Sequence, residues 1–460
     1  MFEAFETGRS RELSVGLDRS GEVAWRLSGE QLLGRVGGWQ ARLRALGVKP
    51  GDRVAIDVPR GPDLLPAHVA ALAAGATLVP LNPSLAPEER SRILERATVR
   101  VVLGPEHAPD GPGAPSLAAR DAETPALLIF TSGTTGEPKG VPHLEAGLEA
   151  NLAGLAEVWG LSASDRLLHV LPAHHVHGLV LALYGSARLG IPIVMLERFD
   201  AERCLAALGT HRISVLMGVP TMYHRMAHSP TEGDASSMRL WVSGSAPLAT
   251  EDFGDFERRF GLAPVERYGL TETLIATSNR SSSPRPGAVG FALPDTEIRL
   301  AADGEVEIRG PGVMQGYWGA PELSREAFHD GFFRSGDLGS IEPDGALTIS
   351  GRKKELIIVG GSNVLPGEVE RALRGDPGVA DLAVAGLPDA DRGEIVAAFV
   401  VTRTGTAEDT VEARLRELAG AGLASYKRPR EYRFVPELPR NSMGKIDRRA
   451  LATRERSSPG

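Results

Sequence analysis

The sequence predicts an α/β protein with a large N-terminal domain of parallel αβα sheets, a small β-rich subdomain and a small α+β C-terminal domain. Strand and helix signals alternate over the first hundred residues and again in the middle of the chain, which indicates βαβ units. Short alternating strands replace them after about residue 285, and about 110 residues then remain for a further domain. We therefore assign residues 1–351 to the N-terminal domain, 285–350 to its subdomain and 352–460 to the C-terminal domain.

The first parallel sheet is predicted from five consecutive elements. Ser28 to Gln31 has the capping-box pattern that begins a helix. Pro87 stands where proline is favoured, at the first position of another helix. Between these helices, Val54–Val58 and Thr77–Pro80 have the length and apolar character of buried strands, and residues 64–74 are helical.

The alternation of strands and helices returns in the middle of the chain, and short strands then replace it. Strands are predicted at 166–171, 192–196, 214–217 and 240–243, with a helix at 178–189. The β-rich subdomain is predicted from strands at 297–300, 305–309 and 346–350. The C-terminal domain is predicted from helices at 366–373 and 410–418 and strands at 380–384 and 397–401.

Composition narrows the class of protein. The 460 residues include 42% hydrophobic residues and carry a net charge of −8, which argues against a nucleic-acid partner. No run of about 18 apolar residues predicts a membrane span. The one cysteine, Cys204, cannot form an internal disulfide and is expected in the core, so we expect a cytoplasmic protein. The sequence carries no signal for oligomeric state.

The most informative segment is Thr131–Gly140, which reads TSGTTGEPKG and follows the apolar run Ala126–Phe130. Glycines allow a close backbone approach to a ligand, and successive N–H groups can bind phosphate oxygens. The hydroxyl groups and Lys139 add donors and a positive charge. The segment differs from the common P-loop because Pro138, rather than glycine, precedes Lys139. It predicts a phosphate-binding loop after a buried strand.

Five further segments place glycines, hydroxyls, carboxylates or lysines in turns. They are Arg267–Thr273 (RYGLTET), Ser335–Asp337 (SGD), Gly351–Lys354 (GRKK), Val359–Asn363 (VGGSN) and Pro439–Lys445 (PRNSMGK). Together with the first segment, and in this order, they resemble the adenylate-forming superfamily of acyl-CoA synthetases, luciferases and peptide-synthetase adenylation domains. The resemblance extends from Leu32 to Leu451.

The resemblance implies an acid–CoA ligase that uses ATP, Mg²⁺ and coenzyme A. It implies that the catalytic Lys445 bridges the acid and the α-phosphate, that Thr271 contacts the α-phosphate, and that Glu272 ligates Mg²⁺. Positive charge is needed because a carboxylate attacking a phosphate brings two anions together. The implied ATP site consists of Thr131, Ser132, Gly133, Thr134, Thr135, Gly136, Lys139, Ser245, Tyr268 beside adenine, Gly269, Thr271, and Asp337 with Arg352 at the ribose.

The second half-reaction, transfer to the CoA thiol, implies a mobile C-terminal domain. The resemblance assigns Lys354 to the hinge. It assigns Gly360, Gly361 and Ser362 to the CoA site. Lys445 would leave the active site when this domain rotates, and acetylation of Lys445 would remove the charge on which adenylation depends.

The acid is predicted from residues that follow the middle strands. The segments His175–Val180, Val219–Arg225 and Arg267–Leu274 resemble malonyl-CoA synthetases. The resemblance implies that Arg225 binds the distal carboxylate of malonate or methylmalonate, because a buried guanidinium without an anion costs about 3–5 kcal/mol. The residues predicted to line the same pocket are His175, His177 and Ser243.

Three alternatives remain open from the sequence. One is a synthetase for a short- or medium-chain monocarboxylate, against which Arg225 argues. Another is an adenylation enzyme that loads a separate carrier protein. The last is a non-catalytic binding protein, against which the presence of both Lys139 and Lys445 argues. Ala173 and His174 depart from the bulky apolar pair common among relatives, so the choice among small diacids also stays open.

Overall fold

The structure, a computed structural model, describes residues 2–131, 137–440 and 446–453. The chain divides into two compact units. The first unit contains Met1–Arg299, Glu307–Arg334 and Glu342–Leu347, and the second contains Leu300–Val306, Ser335–Ile341 and Thr348–Gly460. The domain boundary predicted at 351/352 stays a prediction. Among the described residues, no helix is both long and apolar enough to span a membrane.

The helices are numbered in chain order. They are α1 (Phe2–Thr7), α2 (Gly29–Ala45), α3 (Leu64–Ala73), α4 (Pro87–Arg96), α5 (Glu145–Trp159), α6 (Gly185–Leu189), α7 (Ala201–Thr210), α8 (Pro220–Ala227), α9 (Thr250–Phe260), α10 (Pro321–Glu326), α11 (Pro366–Leu373), α12 (Glu408–Gly422) and α13 (Arg448–Thr453). A π-helical segment, His177–Tyr184, precedes α6, and 3₁₀ turns cover Pro105–His107, Lys353–Glu355 and Ser425–Lys427.

Within the described residues, the strands form four sheets. They are β1 (Glu12–Leu17), β2 (Val23–Ser28), β3 (Arg53–Ile56), β4 (Thr77–Pro80), β5 (Val101–Leu103), β6 (Leu127–Thr131), β7 (Lys139–His143), β8 (Leu167–His169), β9 (Ile193–Leu196), β10 (Val215–Gly218), β11 (Leu240–Ser243), β12 (Val265–Leu270), β13 (Leu274–Ser278), β14 (Phe291–Ala292), β15 (Glu297–Leu300), β16 (Glu305–Arg309), β17 (Phe328–His329), β18 (Phe332–Ile341), β19 (Leu347–Arg352), β20 (Ile357–Val359), β21 (Ser362–Val364), β22 (Val379–Asp389), β23 (Gly393–Thr402) and β24 (Glu431–Phe434).

The largest sheet has the order β14-β13-β12-β11-β10-β8-β9-β1-β2. Its centre, from β12 to β1, is parallel, and antiparallel pairs close both ends. The N-terminal hairpin β1–β2 was not predicted from the sequence. It joins the sheet through parallel pairing of β1 with β9, in the register Ser14 opposite Ile193.

A second sheet has the order β5-β3-β4-β6-β7. Its first four strands are parallel, as predicted for βαβ units, and β6 and β7 form an antiparallel hairpin. This hairpin carries the two described ends of the glycine-rich segment. A third sheet, with the order β15-β16-β18-β17 and β19 beside β18, corresponds to the predicted β-rich segment.

The C-terminal residues form a sheet with the order β21-β20-β23-β22, in which β24 pairs with β23. Helices α11 and α12 pack on it through a buried core that includes Val369, Leu373 and Leu415. The predicted α+β character of this region is confirmed, and with the large parallel sheets it confirms the predicted fold class.

Predictions that depend only on neighbouring residues in the chain, such as helix starts, are confirmed. Ser28 and Gln31 make both hydrogen bonds of a capping box at the start of α2. Pro87 begins α4. Cys204 lies fully buried on α7, and burial raises the pKa of its thiol to about 12, so it is a core residue. The helix predicted at 178–189 is instead a π-helical segment followed by the short α6.

Candidate active site

The carboxyl ends of β8, β10, β11 and β12 lie along one edge of the largest sheet. The strands are parallel neighbours, and Gly218 at the end of β10 pairs with Ser243 at the end of β11. His169 ends β8, and Arg267 lies on β12 one residue beyond the partner of Ser243. In open α/β sheets this edge is where ligands bind.

A group of buried polar side chains lies at this edge, and we call the following four the buried polar cluster: His169, His177, Ser243 and Arg267. Each is at most 6% exposed. Among the described residues, no hydrogen-bond partner is present for the Ser243 hydroxyl, for Nε of Arg267, or for either ring nitrogen of His169 and His177. Buried polar atoms are normally paired, so several unpaired ones together indicate a site for a polar ligand.

Arg267 is the dominant charge of the buried polar cluster. Its Nη2 donates a long hydrogen bond of 3.4 Å to the Ser245 hydroxyl. No carboxylate among the described residues pairs with it, because the adjacent Glu266 accepts instead from the backbone N–H groups of Leu248 and Gly287. Burial lowers the pKa of Arg267 to about 10, so the guanidinium stays charged at neutral pH.

The histidines of the cluster are neutral. Burial lowers the pKa of His177 well below its usual value, and the positive charge of Arg267 lowers it further. Burial also lowers the pKa of His169, with Arg60 as a second cause. Arg60 donates to the backbone carbonyls of His169 and Leu196 at 3.0 and 2.7 Å. The electrostatic field at this edge is therefore positive and suits an anion.

The glycine-rich hairpin lies beside the turn after β12. Thr131 pairs with Lys139 where β6 and β7 begin to separate, and Lys139 Nζ lies 5.2 Å from the centre of the Tyr317 ring. The predicted phosphate-binding residues between them, which lie outside the described residues, are Ser132, Gly133, Thr134, Thr135 and Gly136.

Two hydrogen bonds hold the Thr271–Glu272 turn. His143 contacts the Thr271 carbonyl through Nε2 at 2.7 Å, and burial lowers its pKa to about 4. A carbonyl oxygen only accepts, so the neutral ring carries its proton on Nε2. The Tyr317 hydroxyl donates to Glu272 Oε1 at 3.0 Å, and burial together with the Glu272 charge raises the Tyr317 pKa. The structure thus brings Lys139, Thr271 and Glu272 into one region.

Backbone geometry at the same turn is strict. A Cβ on Gly269 would lie 1.8 Å from the carbonyl oxygen of Leu274, so only glycine fits there. Tyr268 is half-buried and pairs with Thr277 across the antiparallel β12–β13 pair. Ser245 has a left-handed backbone, with φ of 74°, in the loop after β11.

The residues predicted to bind the ribose and to form the hinge all lie in the second unit. Asp337 is nearly buried, and its carboxylate lies 2.7 Å from Arg352 Nε. Lys354 is exposed on the 3₁₀ turn that follows Arg352. Gly360 and Gly361 join β20 to β21 with φ of 56° and 82°, the left-handed pair of a tight hairpin turn that ends at Ser362. Lys445 lies outside the described residues.

The expected burial of Arg225 is wrong. Arg225 is exposed on α8, since residues Tyr223 and Met226 form the buried face of that helix. His175 is half-buried, whereas His177 and Ser243 are in the buried polar cluster. The buried arginine is Arg267, which the RYGLTET motif contains but to which no role was assigned.

Sequence reasoning also missed His143 and Tyr317. Neither carries a motif signal, since each acts through a contact with a turn more than 40 residues away in the chain. Arg267 could have been suspected, because it lies directly beside Tyr268 in a recognised motif. Its burial and its lack of a carboxylate partner among the described residues are visible only in the fold.

The fold and this arrangement define an adenylate-forming enzyme. The sequence profile of the AMP-binding enzyme family matches residues 22–318, and that of the AMP-binding enzyme C-terminal domain matches residues 368–445. The chain therefore belongs to the AMP-binding enzyme family, and it is an ATP-dependent acid–CoA ligase.

Known relatives have different named substrates. The chain is 34% identical to a sulfoacetate–CoA ligase of Cupriavidus necator, with 88% of each chain covered. It is 35% identical to a feruloyl-CoA synthase of an Amycolatopsis species, over 88% of this chain and 89% of the relative. Among solved structures, ATP-bound MatB from Rhodopseudomonas palustris is 34% identical, covers 99% of this chain and 98% of its own, and superposes with a TM-score of 0.89.

Proposed function

We propose that the enzyme adenylates a small dicarboxylic acid, malonate or methylmalonate, and transfers the acyl group to coenzyme A. The observation that carries this proposal is the charged Arg267, buried without a carboxylate partner among the described residues at the carboxyl ends of the strands. A buried unpaired charge costs about 3–5 kcal/mol, and a second carboxylate on the substrate would relieve that cost. A monocarboxylic acid would leave it in place.

The acid would occupy the buried polar cluster. Arg267 would pair with the distal carboxylate, and the hydroxyls of Ser243 and Ser245 would donate to the same oxygens. Neutral His177 can donate one further hydrogen bond, because each neutral imidazole carries one N–H. Arg225 and His175 remain proposed contacts at the outer part of this pocket.

Adenylation would take place at the glycine-rich hairpin. The substrate carboxylate attacks the α-phosphorus, an acyl–AMP bond forms, and pyrophosphate leaves. Thr131, Lys139 and the intervening loop would bind the β- and γ-phosphates, and Thr271 the α-phosphate. Lys445 would neutralise the charge that develops in the transition state, a contribution of about 3 kcal/mol for one such group.

The remaining nucleotide contacts are proposed on the same basis. Tyr268 and Gly269 would lie at adenine, and Asp337 with Arg352 would bind the ribose. Glu272 fits Mg²⁺ because carboxylate oxygens are the ligands that Mg²⁺ prefers, and Tyr317 orients this carboxylate. When bound, Mg²⁺ would neutralise phosphate charge.

Thioester formation would follow at the second unit. The thiol sulfur of coenzyme A attacks the acyl carbon, AMP leaves, and the thiol proton is released. Lys354 is proposed as the hinge, and the Gly360–Gly361 turn with Ser362 as the contact for coenzyme A. The exposed turn has no side chains at its two glycines, which leaves room for a narrow ligand chain. The cytoplasmic location stays a prediction.

Relatives suggest which alternative acids to test. Sulfoacetate, named for one relative, also carries a second anionic group, so Arg267 favours it over acids with one carboxylate. Ferulate and long-chain fatty acids, named for other relatives, have no second anion. The buried charge of Arg267 disfavours a short- or medium-chain monocarboxylate as the acid. It leaves open a carrier protein in place of coenzyme A as the acceptor.

The test is thioester formation with ATP and Mg²⁺ across malonate, methylmalonate, sulfoacetate, acetate and octanoate. It compares wild type with Arg267→Ala and Arg225→Ala, and with Arg92→Ala as a matched control at an exposed arginine of α4. A diacid preference that Arg267→Ala abolishes, and that the control retains, supports the proposal. If wild type turns over acetate or octanoate at least as well as malonate, and Arg267→Ala leaves malonate turnover unchanged, the proposal is overturned. If pyrophosphate is released but no CoA thioester forms, and a carrier protein is acylated instead, the acceptor is a carrier protein rather than coenzyme A.

A further inference from the structure

Helices α8 and α9 present two histidines and two aspartates on their exposed side. His224 lies in the last turn of α8 and His228 directly follows that helix, so the two imidazoles are four residues apart and stack with ring centres 4.4 Å apart. Asp252 and Asp255 lie in the first half of α9. We call these four side chains the surface histidine cluster.

The possible ligand atoms of the cluster lie close to one another. His224 Nδ1 lies 2.6 Å from Asp252 Oδ1, and His228 Nε2 lies 3.3 Å from Asp255 Oδ2. One ligand atom from each of His224, His228 and Asp252 lies within 4.8 Å of the others. Nitrogen and oxygen ligands of a tetrahedral zinc ion are about 3.3 Å apart, since each bond is about 2.0–2.1 Å long. Both imidazoles are about half exposed.

The hydrogen bonding of His228 supports a role as a ligand. Its Nδ1 lies 2.8 Å from the backbone carbonyl of His224. A carbonyl only accepts, so Nδ1 carries the proton and Nε2 faces the carboxylate of Asp255. An imidazole that donates one N–H to a backbone carbonyl while its other nitrogen points toward carboxylates is the usual arrangement of a metal-bound histidine.

We propose that the surface histidine cluster binds one divalent transition-metal ion of the zinc class through His224, His228 and Asp252, whereas Asp255 pairs with Arg258. Imidazole nitrogen selects Zn²⁺, Co²⁺ or Ni²⁺ over Mg²⁺, which prefers oxygen ligands. The ion would tie α8 to α9. It is distinct from the Mg²⁺ proposed at Glu272, and the inference does not depend on which acid the enzyme activates.

The consequence of occupancy follows from what α8 supports. The buried Tyr223, the residue before His224, donates to the Val242 carbonyl at 2.7 Å, and Val242 precedes Ser243 on β11. An ion that fixes the exposed face of α8 would therefore stabilise the folded first unit. Folding stability rises with free metal concentration when only the folded state binds.

The experiment uses full-length protein without an affinity tag, stripped with a chelator and titrated with Co²⁺ in the presence of excess Mg²⁺. The variants are His228→Ala and Asp252→Asn. The matched control is His329→Ala, because His329 is also exposed and contacts two carboxylates, Glu307 and Asp330, at 3.1 and 3.6 Å. The readouts are the visible absorption of bound Co²⁺, its displacement by Zn²⁺, and the shift of Tm with Zn²⁺.

The expected result is one equivalent of Co²⁺ in wild type and His329→Ala, displaced by Zn²⁺ and not by Mg²⁺. His228→Ala should weaken binding by at least about tenfold and should lose the Zn²⁺-dependent rise in Tm. The proposal is overturned if wild type binds no Co²⁺, if Mg²⁺ displaces it, or if His228→Ala and Asp252→Asn both bind as tightly as wild type.

Discussion

The position of the Arg267 guanidinium can be changed without removing its charge. Gly244 lies against it, and a Cβ added at Gly244 would come within 2.4 Å of Arg267 Nε and 2.5 Å of Cζ. Ordinary contacts of such atoms begin near 3.4 Å, so Gly244→Ala would displace the guanidinium by about 1 Å. A displacement of about 1 Å at a group that positions substrate costs about 100-fold in rate.

We therefore expect Gly244→Ala to lower kcat/KM for malonate by about 100-fold, equivalent to about 2.7 kcal/mol. The kcat/KM for acetate, which has no distal carboxylate, should change far less. The assay is thioester formation with each acid at saturating ATP and coenzyme A. The control is Gly254→Ala on α9, where the added methyl group would meet only Arg258 Nη1, at an ordinary 3.4 Å.

Two outcomes would refute the reasoning about Arg267. If Gly244→Ala leaves malonate turnover unchanged, the guanidinium does not position the acid. If it lowers malonate and acetate turnover equally, the clash disturbs the active site as a whole, because overpacking a core costs about 1–3 kcal/mol by itself. The Tm of the variant, compared with that of Gly254→Ala, distinguishes a local shift from general damage.

Tyr317→Phe removes the 3.0 Å hydrogen bond to Glu272. We expect the Mg²⁺ concentration needed for half-maximal pyrophosphate release to rise about fivefold to tenfold. An unchanged value would contradict the proposal that Tyr317 orients Glu272. His68 and His143, with pKa values of about 3 and about 4 in the fold, resist protonation. Their contribution to stability should therefore be constant above about pH 6.5 and fall below it by up to about 1.4 kcal/mol per pH unit for each. Urea unfolding at several pH values checks this, and a slope unaltered in His68→Gln/His143→Gln would contradict it. Asp337→Asn should raise KM for ATP at least about tenfold with little change in KM for the acid, whereas equal changes would remove Asp337 from the nucleotide site.

The sequence predicted what local rules and ordered motifs decide. The capping box at Ser28, the helix start at Pro87 and the buried Cys204 follow from nearest neighbours in the chain. The segments around Thr131 and Tyr268 identified the superfamily because phosphate chemistry requires particular residue types in particular turns. The comparisons with known proteins bear this out for the fold and for acid–CoA ligation.

Contacts between distant parts of the chain could not be predicted in the same way. Arg225 lies on α8, after the apolar strand β10, and Arg267 lies on β12; only the packing of the folded chain shows that the first is exposed and the second buried. The hairpin β1–β2 was missed because its place in the sheet depends on β9. The π-helical segment at His177 also depends on its surroundings, since an apolar run of this length is equally compatible with an ordinary α-helix.

The pairing of β1 with β9 affects the order in which the newly made protein can fold. Ser14 lies opposite Ile193, so β1 must wait during synthesis for a partner made roughly 180 residues later. At about 5–20 residues per second this delay is roughly 10–40 s. During that time the apolar β1–β2 hairpin has an open edge able to pair with other nascent chains. Protection of this edge during synthesis, as well as the stability of the finished enzyme, would then affect the yield of active protein.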